Sequence, residues 1–373
     1  MFSHARTRTR HRFPTPPLLL EPFLRLPPES SLVLLTGTLG CCVGWVAGRF
    51  VGRLLSSPYG DGVVDGGGDG GGSGGLMPEG LGGGWEGRKG GGEGRGGGGM
   101  SEGVSEGVSG EVAVVLVSWL HDLAFWKTEL RRTGGVDIAR TTREGKGDGG
   151  SLELVDCFTT TLSTPSIPQK EGEELMTELE DRITAAIVSQ TQQTTAAQKR
   201  KVVLVLDSPD VLLALNLCSA LELHNFLLRL RSLGPVHASI VICSADLPLL
   251  SSAAGTNHTN HTDSSGSERT TPPTPLEAAT AAFVVQLAHL AGLVVGVREL
   301  ETGAAGDVSG VLRVTRGGGV YDWGGGGGEG GGSGDGEKDW DDEAGEGVEE
   351  MEALYLVQRD GSARVFERGS SGI

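Results

Sequence analysis

Along most of the chain, runs of apolar residues alternate with stretches whose apolar positions recur at helical spacing. Ser31-Leu-Val-Leu-Leu35 is a short apolar run that stops at Thr36-Gly37, and 38–55 reads as a helix opening on glycine. Val112-Ala-Val-Val-Leu-Val117 is a continuous apolar strand. It leads into a helix around His121–Arg132 that Gly134 and Gly135 stop. Leu152–Phe158 is another strand candidate. Glu171–Ser189 carries Leu175, Leu179, Ile183 and Ile187 at steps of four, the mark of an amphipathic helix.

The second half repeats this rhythm. Val202–Leu206 is a strand ending at Asp207, and a helix follows with Leu223, Phe226, Leu227 and Leu230 on one face. Arg229 and Arg231 suit its C-terminal dipole end, and Gly234-Pro235 terminates it. Ala238–Cys243 is the next strand. After a polar loop, 251–274, Thr274, Pro275 and Glu277 form a capping box that opens a helix running to about Ala291. Leu293–Val297 and Val311–Thr315 are strands, and Leu354–Phe366 is a hairpin turned on Asp360-Gly361. Strands that are apolar throughout and alternate with helices predict an α/β class with a parallel sheet covered on both faces. The closing strands without helices predict antiparallel strands on one edge.

Composition changes this picture in two places. Of 64 glycines, 26 fall in residues 60–110 and 15 in residues 317–347. Those blocks read as insertions of flexible composition in an otherwise ordinary domain, and no G-x-y period supports collagen. The net charge of −17 is also local, because residues 320–352 hold twelve acids and one lysine. An acidic chain argues against generic nucleic-acid binding. The organisation is therefore a basic tail of disordered character over 1–17, with Arg6, Arg8, Arg10 and Arg12. A single domain follows over 18–373, interrupted at 60–110, 251–274 and 317–350. Five cysteines (Cys41, Cys42, Cys157, Cys218 and Cys243) with no C-x-x-C pair, mostly within apolar runs, read as free buried thiols of a reducing compartment.

Chemistry in such a sheet belongs beyond the carboxyl ends of the strands. After the first strand, a phosphate-cradling loop would read G-x-x-x-x-G-K-[ST], with amides for the phosphates, lysine for their charge and a hydroxyl for Mg²⁺. Counted from Gly37, the second glycine is Cys42, the lysine Val43 and the hydroxyl residue Gly44, with Gly40 between them. Every working side chain of that loop is missing, so no cofactor and no catalytic residue is assigned, and the loop reads as degenerate. Asp207 stands where a Mg²⁺-linked carboxylate would sit, although an Asp before Ser-Pro also suits a turn or helix cap. His121 and His224 lack partners at metal-ligand spacing. Arg298, Arg313 and Arg316 flank two late strands. They read either as solvated strand ends or as one basic edge for RNA phosphate. Gly40, Gly44, Gly48 and Gly52 recur at steps of four within 32–52. That pattern suits a helix packed closely on a sheet, or a membrane span.

Several segments, taken in order, resemble fungal Elongator complex protein 6. They are Leu18–Leu24 with Leu26-Pro-Pro-Glu29, Val114–Trp119, Ala124–Glu129, Leu221–Leu227 and Val308–Thr315. The resemblance implies a RecA-like three-layer domain with a mainly parallel central sheet, antiparallel edge strands and a C-terminal hairpin, lacking nucleotide-binding motifs. It implies a non-enzymatic subunit of a hetero-hexameric ring built with the fourth and fifth Elongator subunits. That ring binds tRNA and supports wobble-uridine modification in the cytoplasm, or also the nucleus, without a membrane. The alternatives are a nucleotide-binding ATPase of atypical motif and a protein anchored in a membrane through 32–52. No single position is diagnostic of the family, so no functional residue is carried over.

Overall fold

The computed structural model describes residues 19–56, 112–138, 150–163, 172–192, 200–250, 272–303, 305–319 and 350–367. The insertion 60–110, most of the polar loop and most of the Gly-rich acidic block lie outside them, as does the basic tail. One nine-stranded sheet forms the middle layer. Its strands are β1 (Leu32–Gly37), β2 (Val112–Ser118), β3 (Ser151–Asp156), β4 (Lys201–Asp207), β5 (Val236–Ser244), β6 (Leu293–Arg298), β7 (Gly310–Arg316), β8 (Met351–Val357) and β9 (Ala363–Glu367). The order across the sheet is β3-β2-β4-β5-β1-β6-β7-β8-β9. All pairings from β3 to β6 are parallel, while β7, β8 and β9 add antiparallel. This is the α/β, three-layer, mainly parallel arrangement with antiparallel edge strands that the sequence pattern predicts.

Burial explains the apolar runs. All seven residues of β2 are buried, because helices cover both faces of the strand. One layer holds α1 (Gly44–Ser56) and α2 (Leu123–Glu129), which continues as a π turn, Leu130–Gly134. The opposite layer holds α3 (Cys157–Ser163), α4 (Gly172–Gln192), α5 (Ala220–Arg231) and α6 (Pro275–Leu290). Leu175, Leu179, Ile183 and Ile187 of α4 and Leu223, Phe226, Leu227 and Leu230 of α5 all face that core, as their spacing predicts. Thr274 and Glu277 close the expected capping box at the start of α6, and Ser219 with Glu222 closes another at α5.

Three sequence expectations change. Residues 38–43 form a loop and the helix starts at Gly44, so 32–52 is strand, loop and helix; among the described residues no helix is long and apolar enough to cross a membrane. The strand expected to reach Phe158 ends at Asp156, and α3 starts at Cys157. The glycine face of α1 packs on the π turn rather than on the sheet. A Cβ on Gly48 would overlap the Thr133 hydroxyl, and one on Gly52 would lie 2.7 Å from Gly134 Cα. The helices meet there backbone to backbone, with Gly135 in a left-handed conformation (φ 69°) closing the turn.

That close approach is testable. Gly52→Ala should destabilise the protein by about 1–3 kcal/mol, the range for overpacking a rigid contact, despite alanine's better helix propensity. Urea unfolding of the full chain measures it, and a neutral or stabilising result would contradict the backbone contact.

Candidate functional site

Strand order decides where a site can form. The helix after β1 lies on one face of the sheet, while the helix that carries the chain from β5 to β6 lies on the other. This is a topological switch point, the place at the carboxyl ends of the strands where such a sheet binds its ligands. The same switch of faces occurs between β2, followed by α2, and β4, followed by α5. The degenerate phosphate loop lies at the first of these positions and Asp207 at the second.

In the loop after β1, four of the amides have acceptors within the protein. Thr38 N–H donates to Val297 O (3.2 Å) and Cys41 N–H to Thr38 O (2.8 Å). Leu39 N–H donates to the Asp246 carboxylate at 2.6 Å, and Gly44 N–H to Cys42 Sγ at 3.3 Å. Asp246 is held from behind by the Ser244 hydroxyl (3.0 Å). A carboxylate thus takes an amide that a bound phosphate would use. Val43, in the lysine position, is 6% exposed and packs into the core beneath α1. Gly40 needs its glycine: φ is +86°, and a Cβ would overlap the Glu299 carboxylate. Gly37 is equally confined, with Cys41 O 2.8 Å from a hypothetical Cβ. Carboxylates therefore flank the loop on both sides. Two like charges 4 Å apart cost about 4 kcal/mol at an effective dielectric near 20, so an entering phosphate meets repulsion where it would need a cation.

Asp207 is neither a turn residue nor a cap. It is 2% exposed and gathers donors from two segments. Its Oδ2 lies 2.6 Å from Ser118 Oγ, 2.8 Å from His121 Nδ1 and 3.1 Å from Trp126 Nε1, while Oδ1 accepts from Ser208 Oγ at 3.0 Å. His121 N–H in turn donates to Ser118 Oγ (3.0 Å). The carboxylate therefore ties the end of β4 to the end of β2 and the start of α2. His121 Nδ1 faces a carboxylate and therefore acts as the donor of that bond. The ring stacks on Phe125 (centroids 3.8 Å apart, planes 15°). Ser118 bonds to Asp207 rather than to His121 Nε2, so these three residues lack the relay order of a hydrolase triad.

Asp210, one turn on, bridges to the next strand by accepting Ser244 N–H at 3.1 Å. Its other oxygen is buried without a partner. Burial, with Asp207 nearby, pushes its carboxyl up to about 6.

The three arginines do not share one face. In the pairing of β6 with β7, Arg298 stands opposite Val311, Arg313 opposite Gly296 and Arg316 opposite Leu293. Arg298 and Arg313 therefore share one side of the sheet and Arg316 lies on the other. Arg298 also pairs with Glu301 (3.3 Å) and Glu352 (3.5 Å). Among the described residues no group of three or more metal-binding side chains assembles. Sequence spacing does not reveal His121 and Ser118 as partners of Asp207; the available signal is their position just past the end of a buried strand. Cys41, Cys157 and Cys243 are buried free thiols, whereas Cys42 is exposed.

No family model and no curated protein matches the chain. A similar solved structure is that of an uncharacterised protein from Pyrococcus horikoshii in complex with an unknown peptide. It is 10% identical, covering 95% of this chain and 98% of that one, with a TM-score of 0.44.

Two variants test the site's electrostatics. Asp207→Ala strands the buried donors of Ser118, Trp126 and Ser208, and removes the partner of His121 at the rim. It should lower the unfolding free energy by about 3–5 kcal/mol in urea titration, with Asp207→Asn costing less. At Asp210 the folded carboxyl titrates above its ordinary 3.8, so its stabilising contribution is complete below about pH 4 and is lost as pH rises through about 6. Asp210→Asn should therefore add of order 1–2 kcal/mol at pH 8 and almost nothing at pH 4, read as the difference in Tm between the two pH values.

Proposed function

We propose that this chain is a non-catalytic assembly subunit: a RecA-like member of the Elongator accessory ring, of the sixth-protein type, paired with the fourth and fifth subunits. The observation that carries the non-catalytic reading is the state of the phosphate loop. Four of its amides are bonded within the protein, Asp246 takes the one from Leu39, and the lysine position is a core valine. A fold that has closed its nucleotide site keeps a rigid sheet, its edges and its loops, which are what a ring of related domains assembles through. The identity of the ring rests on the ordered sequence segments that resemble the Elongator protein. The tRNA role belongs to the assembled ring in that reading, and the division of arginines between two sheet faces argues against one basic edge on this subunit alone.

The test is native mass spectrometry after co-expression with the two paralogous subunits. The reading expects a hetero-hexamer containing two copies of this chain and a poorly soluble or unstable protein when it is expressed alone. A stable monomer that ignores both partners would overturn it.

A further inference from the structure

The bond from Leu39 N–H to Asp246 has a second effect, because it brings together the tips of the loops after β1 and β5. Each tip carries an apolar side chain standing in water: Leu39 is 84% exposed and Leu247 is 69% exposed. Most exposed leucines on a protein surface are isolated and need no explanation. These two flank one hydrogen bond, since Leu39 donates it and Leu247 follows the residue that accepts it; they sit at the carboxyl end of the sheet, where such a fold places a ligand, and they stand between carboxylates. Asp246 lies on the β5 side and Glu299, packed against Gly40, on the β6 side, with Glu301 two residues beyond. The arginine of that corner, Arg298, is drawn to Glu301 and Glu352. Along the same end of the sheet, Leu120 (46% exposed) and Leu123 (48%) follow β2.

From this geometry we infer that the carboxyl end of the sheet docks a partner protein, through a segment that presents apolar side chains flanked by arginine or lysine. The former phosphate site has reversed its preference of charge. An anion meets Asp246 and Glu299, whereas a cationic side chain gains from both, and its apolar neighbours cover Leu39 and Leu247. Charge complementarity selects the occupant: an apolar segment bearing acids would meet like charges on both sides, which costs several kcal/mol at a close interface. A basic segment without apolar residues would leave the leucines wet and would be held only by salt-screened attraction. Arginine suits the position better than lysine, since a planar guanidinium can bridge a carboxylate while packing its stem on a leucine. In the ring reading the segment belongs to a neighbouring subunit; the inference rests on that reading only for the neighbour's identity.

The experiment uses the full chain and three fluorescein-labelled synthetic peptides of equal length: one of leucine and arginine, one of leucine and glutamate, and one of serine and arginine. Anisotropy titrations should show saturable binding of the leucine–arginine peptide alone. A Leu39→Ser/Leu247→Ser variant should weaken that binding at least tenfold. Glu299→Gln should weaken it several-fold and flatten its salt dependence. Both variants alter exposed side chains, so an unchanged Tm serves as the folding control. Absence of saturable binding, equal binding of the leucine–glutamate peptide, or unaltered affinity in the variants would overturn the inference. Native mass spectrometry of the wild-type and variant chains with the two paralogues separates the two claims. A wild-type chain that binds the peptide yet forms no ring contradicts the ring reading alone. A ring that forms while peptide affinity is untouched by the variants contradicts the docking surface alone.

Discussion

The contact between Leu39 N–H and the Asp246 carboxylate governs what the carboxyl end of the sheet can hold. A phosphate loop works because its amides are free and its surroundings are cationic. Here one of those amides is taken by a charged acceptor at 2.6 Å, and others bond to Val297, Thr38 and Cys42. Charge-assisted bonds of this kind are about twice as strong as neutral ones, so a phosphate would have to displace a carboxylate and then tolerate its charge nearby. The same contact fixes the separation of the loops after β1 and β5, and with it the position of the exposed leucines. One hydrogen bond thus links the occupied loop amide to the shape of the surface around it.

Asp207 has a complementary role at the neighbouring strand ends. A carboxylate at the end of β4 would hold a metal in a nucleotide-binding site; in this chain its oxygens are committed to Ser118, His121, Trp126 and Ser208. Burying that charge is tolerable because the carboxylate is met by four donors. The residue that could have been a remnant of catalysis is therefore a tie between strands, and α2 takes its position from it through Trp126. His121 stays partly in solvent at the rim.

Much of the fold is legible in the sequence because its signals are local. Apolar runs such as 112–117 and 202–206 announce buried parallel strands, the four-residue steps in α4 announce its inner face, and Thr274-Pro275 with Glu277 announces a helix start within one residue. The site is less legible because its bonds join distant residues. His121 and Asp207 are 86 positions apart, and Leu39 and Asp246 are 207 apart, so only strand order brings them together. The glycine spacing of α1 is visible while its partner is not, since a π turn at 130–134 leaves no periodic mark. The arginines illustrate the same limit: their residue types suggest one edge, and the register of β6 with β7 divides them between two faces.

The central claim is that the protein's own carboxylate has closed the phosphate loop, and isothermal titration with Mg-ATP tests it most directly. The wild-type chain should give no saturable heat, with or without magnesium. Tight, magnesium-dependent binding that disappears in Asp207→Asn would contradict the account.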